Sequence, residues 1–100
     1  MDIIKRLERW FSHQCTGEWE HRYGIHLTTC DNPGWWLKVD LRGTALEGKP
    51  HRPRRQGDFE HNTPTPPWLD YHVENGVYHG AGDKDRLEEI LAAFLDWAEE

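Results

Sequence analysis

The sequence predicts an α+β domain: an antiparallel sheet of about four strands in two hairpins, with an N-terminal and a C-terminal helix packed on one face. Three observations carry this. Both ends of the chain repeat apolar residues at helical spacing, and alternating runs lie between them. Two turn sequences, Asn32-Pro33-Gly34-Trp35 and Asn75-Gly76, each join a pair of those runs.

Taken in order, Ile3, Ile4, Leu7, Trp10 and Phe11 follow the spacing of one helical face, with Asp2 placed to cap the helix and Gly17 to end it. Ile25, Leu27 and Thr29 then alternate with His26, Thr28 and Cys30. After the first turn, Trp35, Leu37, Val39 and Leu41 alternate with Trp36, Lys38, Asp40 and Arg42, which makes a hairpin with one apolar face. Residues 43–48 form a loop between two glycines. The stretch at about 49–67 holds five prolines and the cluster His51, Arg52, Arg54, Arg55. It reads as an irregular excursion with at most a short strand near Lys49 to Arg55. Leu69, Tyr71 and Val73 alternate with Asp70, His72 and Glu74, turn at Asn75-Gly76 and return through Val77 to Ala81. Gly82 breaks the strand. Asp85 with Glu88 suggests a capping box, with Asp83 as a rival cap, before the stripe Leu87, Ile90, Leu91, Phe94, Leu95 and Ala98.

One hundred residues make one domain, 1–100, with a single modest core and no room for a separate catalytic domain. The formal charge is -6, and seven acidic residues face two basic ones between Asp83 and Glu100. That balance excludes nucleic acid as a direct partner, since phosphates need a basic footprint, and suits a protein that meets basic surfaces. Cys15 and Cys30 are too few for a disulfide framework. The N-terminal helix carries charges throughout, unlike a signal peptide, and no window reaches membrane-spanning length. A cytoplasmic protein with reduced thiols and no membrane partner is expected.

Chemistry-bearing residues crowd into Gly17 to Lys49. Trp19-Glu20-His21 with Tyr23 is the densest group, and Glu20 and His21 would suit general acid/base work if a substrate reached both. On an extended chain, however, neighbours point to opposite sides. His13, Cys15, His21, His26 and Cys30 carry no Cys-x-x-Cys spacing, so no metal site is expected. Ser12 is the only serine and sits in no nucleophile elbow, and no phosphate-binding glycine loop is present. Trp36 is the anomaly of the first hairpin. With both helices on the Leu37/Val39 face, it joins His26, Thr28, Cys30, Lys38 and Asp40 on the other, where an exposed tryptophan is a contact anchor. The proline-rich loop would have to fold over it to hide it.

The chain resembles the immunity protein 53 family of bacterial polymorphic toxin systems. The resemblance runs through the helix ending at Trp10, Cys15-Thr16-Gly17-Glu18-Trp19-Glu20-His21, Tyr23-Gly24 and Asp31-Asn32-Pro33-Gly34-Trp35. It continues in Asp40-Leu41, Gly43 to Gly48, Trp68, Gly80-Ala81-Gly82 and the closing helix from Leu87 to Trp97-Ala98. The basic, proline-rich stretch at 49–67 departs from the plainer strand and turn expected there. The resemblance implies a small, non-enzymatic cytosolic protein that binds and neutralises a cognate toxin domain by blocking its active cleft, without cofactor or metal. The expected partner-binding residues are Trp19, Glu20, His21, Tyr23, Asp31, Asn32 and Trp36. The alternative is a small-molecule-binding protein or accessory enzyme of a biosynthetic cluster, using the Glu20, His21 and Asp31 region.

Overall fold

The computed structural model describes residues 2–59 and 64–100. Among them are helices α1 (Ile3–Gln14), α2 (Trp19–Arg22) and α3 (Leu87–Ala98) and strands β1 (Ile25–Cys30), β2 (Gly34–Asp40), β3 (Arg54–Asp58), β4 (Thr65–Glu74) and β5 (Val77–Asp83). The strands form one antiparallel sheet in the order β1-β2-β5-β4-β3. The α+β class is the one the sequence predicts.

The sheet has five strands rather than about four. The extra one, β3, lies slightly later than the short strand expected near Lys49 to Arg55. It is exposed along its whole length, so Arg-Arg-Gln-Gly-Asp carries no alternation to announce it. β4 starts earlier than the Leu69 run, at Thr65. Pro66 and Pro67 sit beside a register shift in β3–β4 and ahead of the first β4–β5 pair, Leu69 with Gly82, where missing N–H groups do little harm. Residues 60–63 of the expected loop lie outside the described residues.

α3 lies across the centre of the sheet. Leu37, Val39, Leu69 and Tyr78 from the strands and Ile90, Phe94 and Leu95 from α3 are all essentially fully buried. Trp97 joins this core, although a stripe running through Ala98 does not ask for it. Its indole N–H donates to the carbonyl of Pro50 at 3.0 Å, and Lys49 Nζ donates to its carbonyl at 2.7 Å. Residues 49–51 are thus a strap across the end of α3. Lys49 supplies the cation that the last turn of α3 lacks among its own side chains.

α1 is capped as expected, with Lys5 N–H donating to Asp2 Oδ1 at 2.8 Å. It packs on α3 rather than directly on the strands: Trp10 meets Phe94 edge-on at 5.1 Å, and Arg6 pairs with Asp96 at 3.0 Å and with Glu99. The expected Asp85–Glu88 capping box does not form, because the N-cap of α3 is Arg86 and makes no side-chain cap bond. Asp83 does the work from one turn earlier. Its carboxylate accepts from the N–H of Trp68 at 3.0 Å, the N–H of Asp85 at 3.1 Å and Arg86 Nε at 2.9 Å.

The spacing of β2 and β5 is set by small residues at one end. A Cβ on Gly34 would overlap the carbonyl oxygen of Gly82 and come within 2.9 Å of the Trp68 ring. Gly34→Ala should therefore cost about 1–3 kcal/mol, the usual range for overpacking. Urea denaturation with an unchanged m-value checks this, and an unchanged midpoint would show that the strand separation is set elsewhere.

Candidate functional site

Strand alternation gives the sheet a second face, which α3 does not cover. On it, cross-strand register makes rows: His26, Lys38, His79 and His72 in one, Thr28, Trp36, Ala81, Asp70 and Arg55 in the next. This is the face the sequence assigns to His26, Thr28, Cys30, Trp36, Lys38 and Asp40. Trp36 is 38% exposed on it. Nothing among the described residues of the proline-rich segment folds over it, because β3 pairs instead along β4.

Trp36 is held rather than loose. Its Nε1–H donates to His79 Nδ1 at 3.3 Å, and Lys38 Nζ stands 4.4 Å from its ring centroid. His79 stacks on His72 at 4.8 Å with 12° between planes. His72 in turn has Nδ1 3.4 Å from Asp70 Oδ1 and Nε2 3.7 Å from Glu74 Oε2. Asp70 lies 4.0 Å from Arg55, whose guanidinium covers Phe59. The arrangement is a chain of aromatic and charged groups running across four strands.

Burial lowers the pKa of His79, and the neighbouring His72 adds to the effect. Its Nδ1 lone pair is therefore kept available for the indole N–H. His72, Glu74 and His79 also bring one ligand atom each within 4.8 Å of one another, the group of this kind present among the described residues. Sequence spacing did not suggest it, since the two histidines meet only through the β4–β5 register, His72 opposite His79. The set weighed from sequence spacing was a different one, His13, Cys15, His21, His26 and Cys30.

Trp19-Glu20-His21 behaves differently from the extended segment the sequence suggested, because it is the one-turn helix α2. Trp19 is 4% exposed and packs edge-on against Trp10 and Phe11, both at 5.9 Å. Glu20 turns back on the preceding loop: Oε1 accepts from Thr16 N–H at 3.0 Å and Oε2 from Gly17 N–H at 2.8 Å. Thr16 Oγ1 reciprocates from the N–H of Trp19 at 3.4 Å, a capping exchange offset by one residue from the usual box. Backbone N–H groups at Glu20 itself, Gly17 and Thr16 hold the Glu20 carboxyl below its ordinary range, and that suits an anchor better than a general acid. His21 is exposed, and Tyr23 is half-buried beneath the Arg42 guanidinium at 4.8 Å. Arg42 in turn pairs with Asp40 at 2.6 Å.

Asp31 and Asn32 belong to the β1–β2 turn, Asp31 exposed and Asn32 half-buried with its Oδ1 unpartnered among the described residues. Tyr23 precedes β1 and Asp31 follows it, so a six-residue strand of roughly 20 Å separates them. The seven residues singled out by the sequence thus fall into three places: Trp19, Glu20, His21 and Tyr23 at one end of the first hairpin, Asp31 and Asn32 at the other, and Trp36 on the open face between them.

A small domain with one sheet face sealed by a helix and the other presenting a braced tryptophan has the build of a recognition module. The chain belongs to the immunity protein 53 family, whose model matches residues 4–99. Membership supports an immunity role in general and, with it, a non-enzymatic protein. No match was found among curated proteins or among solved structures. Among the described residues no helix is long and apolar enough to cross a membrane.

The Trp36–His79 bond makes the open face sensitive to acid. His79 has its folded pKa below the ordinary 6.5, so the stability it lends is present above that value and is lost as pH falls through the lowered one. Protonation places a hydrogen on Nδ1 and ends the acceptance from Trp36. The Trp36 indole N–H resonance should shift between about pH 7.5 and about pH 5, with a midpoint below 6.5. A resonance that stays in place, or follows a midpoint above 6.5, contradicts the coupling.

Proposed function

We propose that this protein binds and neutralises a cognate toxin domain in the cytoplasm, using the open sheet face to cover the toxin's active cleft. The observation that carries the reading is Trp36, a large aromatic left 38% exposed, braced by Lys38 and His79, on a family member's uncovered face. Hot spots of protein interfaces are of this kind: a rigid aromatic within a ring of polar contacts that exclude water. Asp40, Asp70 and Glu74 stand around it on the same face.

The net charge of -6 favours a basic partner and accelerates encounter with it. Most of that charge sits on the α3 side, where Arg6, Arg86 and Lys84 pair only part of it. Its contribution is long-range steering, while the open face provides the contact. Within the residues first singled out, Trp36 is the anchor and His21, Tyr23, Asp31 and Asn32 extend the footprint along the hairpin. Trp19 and Glu20 act from behind by shaping the loop that carries His21. A small-molecule enzyme built on Glu20, His21 and Asp31 has less support, since the first is engaged by backbone and the last lies at the far end of a strand.

Co-expression with the toxin domain encoded beside it, followed by titration calorimetry, tests the proposal. Trp36→Ala should weaken binding by about thirtyfold or more, the scale of a hot-spot truncation of about 2 kcal/mol, with the melting temperature unchanged. Association should also slow as salt is raised. Unaltered affinity in Trp36→Ala would sink the assignment of the open face, and failure of any neighbouring toxin to bind would sink the function.

A further inference from the structure

β4 carries Asp70, His72 and Glu74 two residues apart, so strand alternation turns all three onto the open face of the sheet. β5 adds His79 directly opposite His72. Neither strand alone holds a site; the β4–β5 register assembles one. A ligand atom each from His72, Glu74 and His79 lies within 4.8 Å of the others. The two histidines are half-buried and Glu74 is exposed, so an ion from solvent reaches all three. Two imidazoles and a carboxylate suit a first-row transition ion such as zinc, whereas magnesium and calcium take oxygen ligands.

The donors are also oriented. Asp70 Oδ1 stands 3.4 Å from His72 Nδ1, which favours the ring proton on that nitrogen and leaves the Nε2 lone pair free. Nε2 lies 3.7 Å from Glu74 Oε2. A carboxylate behind the far nitrogen is the usual support of a ligating imidazole, and it sets this group apart from two histidines that merely meet on a surface. In a tetrahedral zinc site, with bonds of about 2.0–2.2 Å, neighbouring donors sit roughly 3.4 Å apart. The widest separation has to close from 4.8 Å to that value. The Glu74 side chain, 66% exposed, and a tilt of one ring out of the His72–His79 stack supply the movement.

His79 ties the ion to Trp36. A neutral imidazole has one lone pair, and His79 offers its own through Nδ1 to the Trp36 indole N–H. An ion either takes that lone pair at Nδ1 or, bound at Nε2, sends the ring proton across to Nδ1. In both cases the indole loses its acceptor, and the ring neither gains nor loses a proton. Lys38 opposes the charge of the ion from the adjoining strand, but its Nζ is drawn over the Trp36 ring, 4.4 Å from the centroid. We infer that His72, Glu74 and His79 bind a divalent transition ion of the zinc class, and that binding releases Trp36 from His79. Asp70 positions His72, and water fills the remaining coordination. The aromatic anchor of the open face then has two states, braced without the ion and released with it.

The full chain is titrated with zinc chloride at about pH 7.5, where imidazole is neutral. NMR follows the Trp36 indole N–H and the imidazole carbons of the histidines. One ion should bind per chain, with saturable shifts at His72 and His79 and a displaced Trp36 indole resonance. Magnesium should produce none of these. His72→Gln, His79→Gln and Glu74→Gln should each weaken zinc binding by about tenfold or more, and Asp70→Asn by roughly tenfold. Glu74 is exposed, so its variant reports on the site without disturbing the fold. His26→Gln, in the same cross-strand row beyond Lys38, should leave affinity unchanged. The inference is overturned by absent saturation with zinc, by equal binding of magnesium, by unaltered affinity in the His72 and Glu74 variants, or by a Trp36 indole resonance that stays in place at saturation. None of these readouts involves a toxin, so the failure of this site and the failure of the immunity reading are told apart.

Discussion

The architecture depends on how closely α3 approaches β5, and that depends on two positions without side chains. A Cβ on Gly80 would lie 3.1 Å from Ile90 Cγ2 and 3.2 Å from the Tyr78 ring, and one on Gly82 would lie 3.0 Å from Ile90 Cδ1. With nothing there, the helix settles onto the central strand. Ile90, Leu91, Phe94 and Leu95 are then sealed against Leu37, Val39, Leu69 and Tyr78, each contributing about 1.5–3 kcal/mol by leaving water. A single helix can cover only the middle of five strands. β1 lies past its reach, so Leu27 stays 42% exposed on the helix side. α1 finds its apolar neighbours on α3 and α2. On the far face Trp68 is buried with Phe59 edge-on to it, while among the described residues Trp36 stays in view.

Polar groups inside the domain follow two different regimes. Asp83 is buried, which by itself would raise its pKa. The N–H groups of Trp68 and Asp85 and the Arg86 guanidinium outweigh that and keep the carboxylate ionised below its ordinary range. One side chain thereby ties β4, the end of β5 and the start of α3 together, and it replaces the helix cap that Arg86 does not provide. Both carboxylate oxygens are engaged, as stability requires of a buried charge. At the other end of α3, Tyr71, Tyr78 and His51 keep polar atoms that no described neighbour satisfies. The same core thus contains a carboxylate whose two oxygens are both engaged and, elsewhere, polar atoms without a partner among the described residues.

Trp19-Glu20-His21 shows how a dense motif divides under the same test. Glu20 and Thr16 exchange bonds with backbone to form the turn, Trp19 plugs the gap beside Trp10 and Phe11, and only His21 is left facing outward. Chemical appearance in sequence was a poor guide here because a carboxylate next to an imidazole does not say which backbone groups will claim it. Trp36 was a better signal. Strand alternation alone placed it opposite Leu37, and no packing partner was needed to predict that.

Local periodicity and turn chemistry determined much of this protein: α1 with its Asp2 cap, the β1–β2 hairpin about Asn32-Pro33-Gly34, the β4–β5 hairpin about Asn75-Gly76, the apolar stripe of α3, and the α+β class. These are settled within a few residues, through steric limits on φ and the burial of one face. Only the tertiary structure decided the remainder. β3 is a strand because β4 offers an unpaired edge, although its own residues are polar on both sides. Trp97 is buried because the strap at 49–51 crosses the end of α3. His72 meets His79, and Tyr71 joins Tyr78 and His51 around one cleft, because register and helix packing bring distant positions together. Such contacts are formed between segments whose local patterns carry no record of one another.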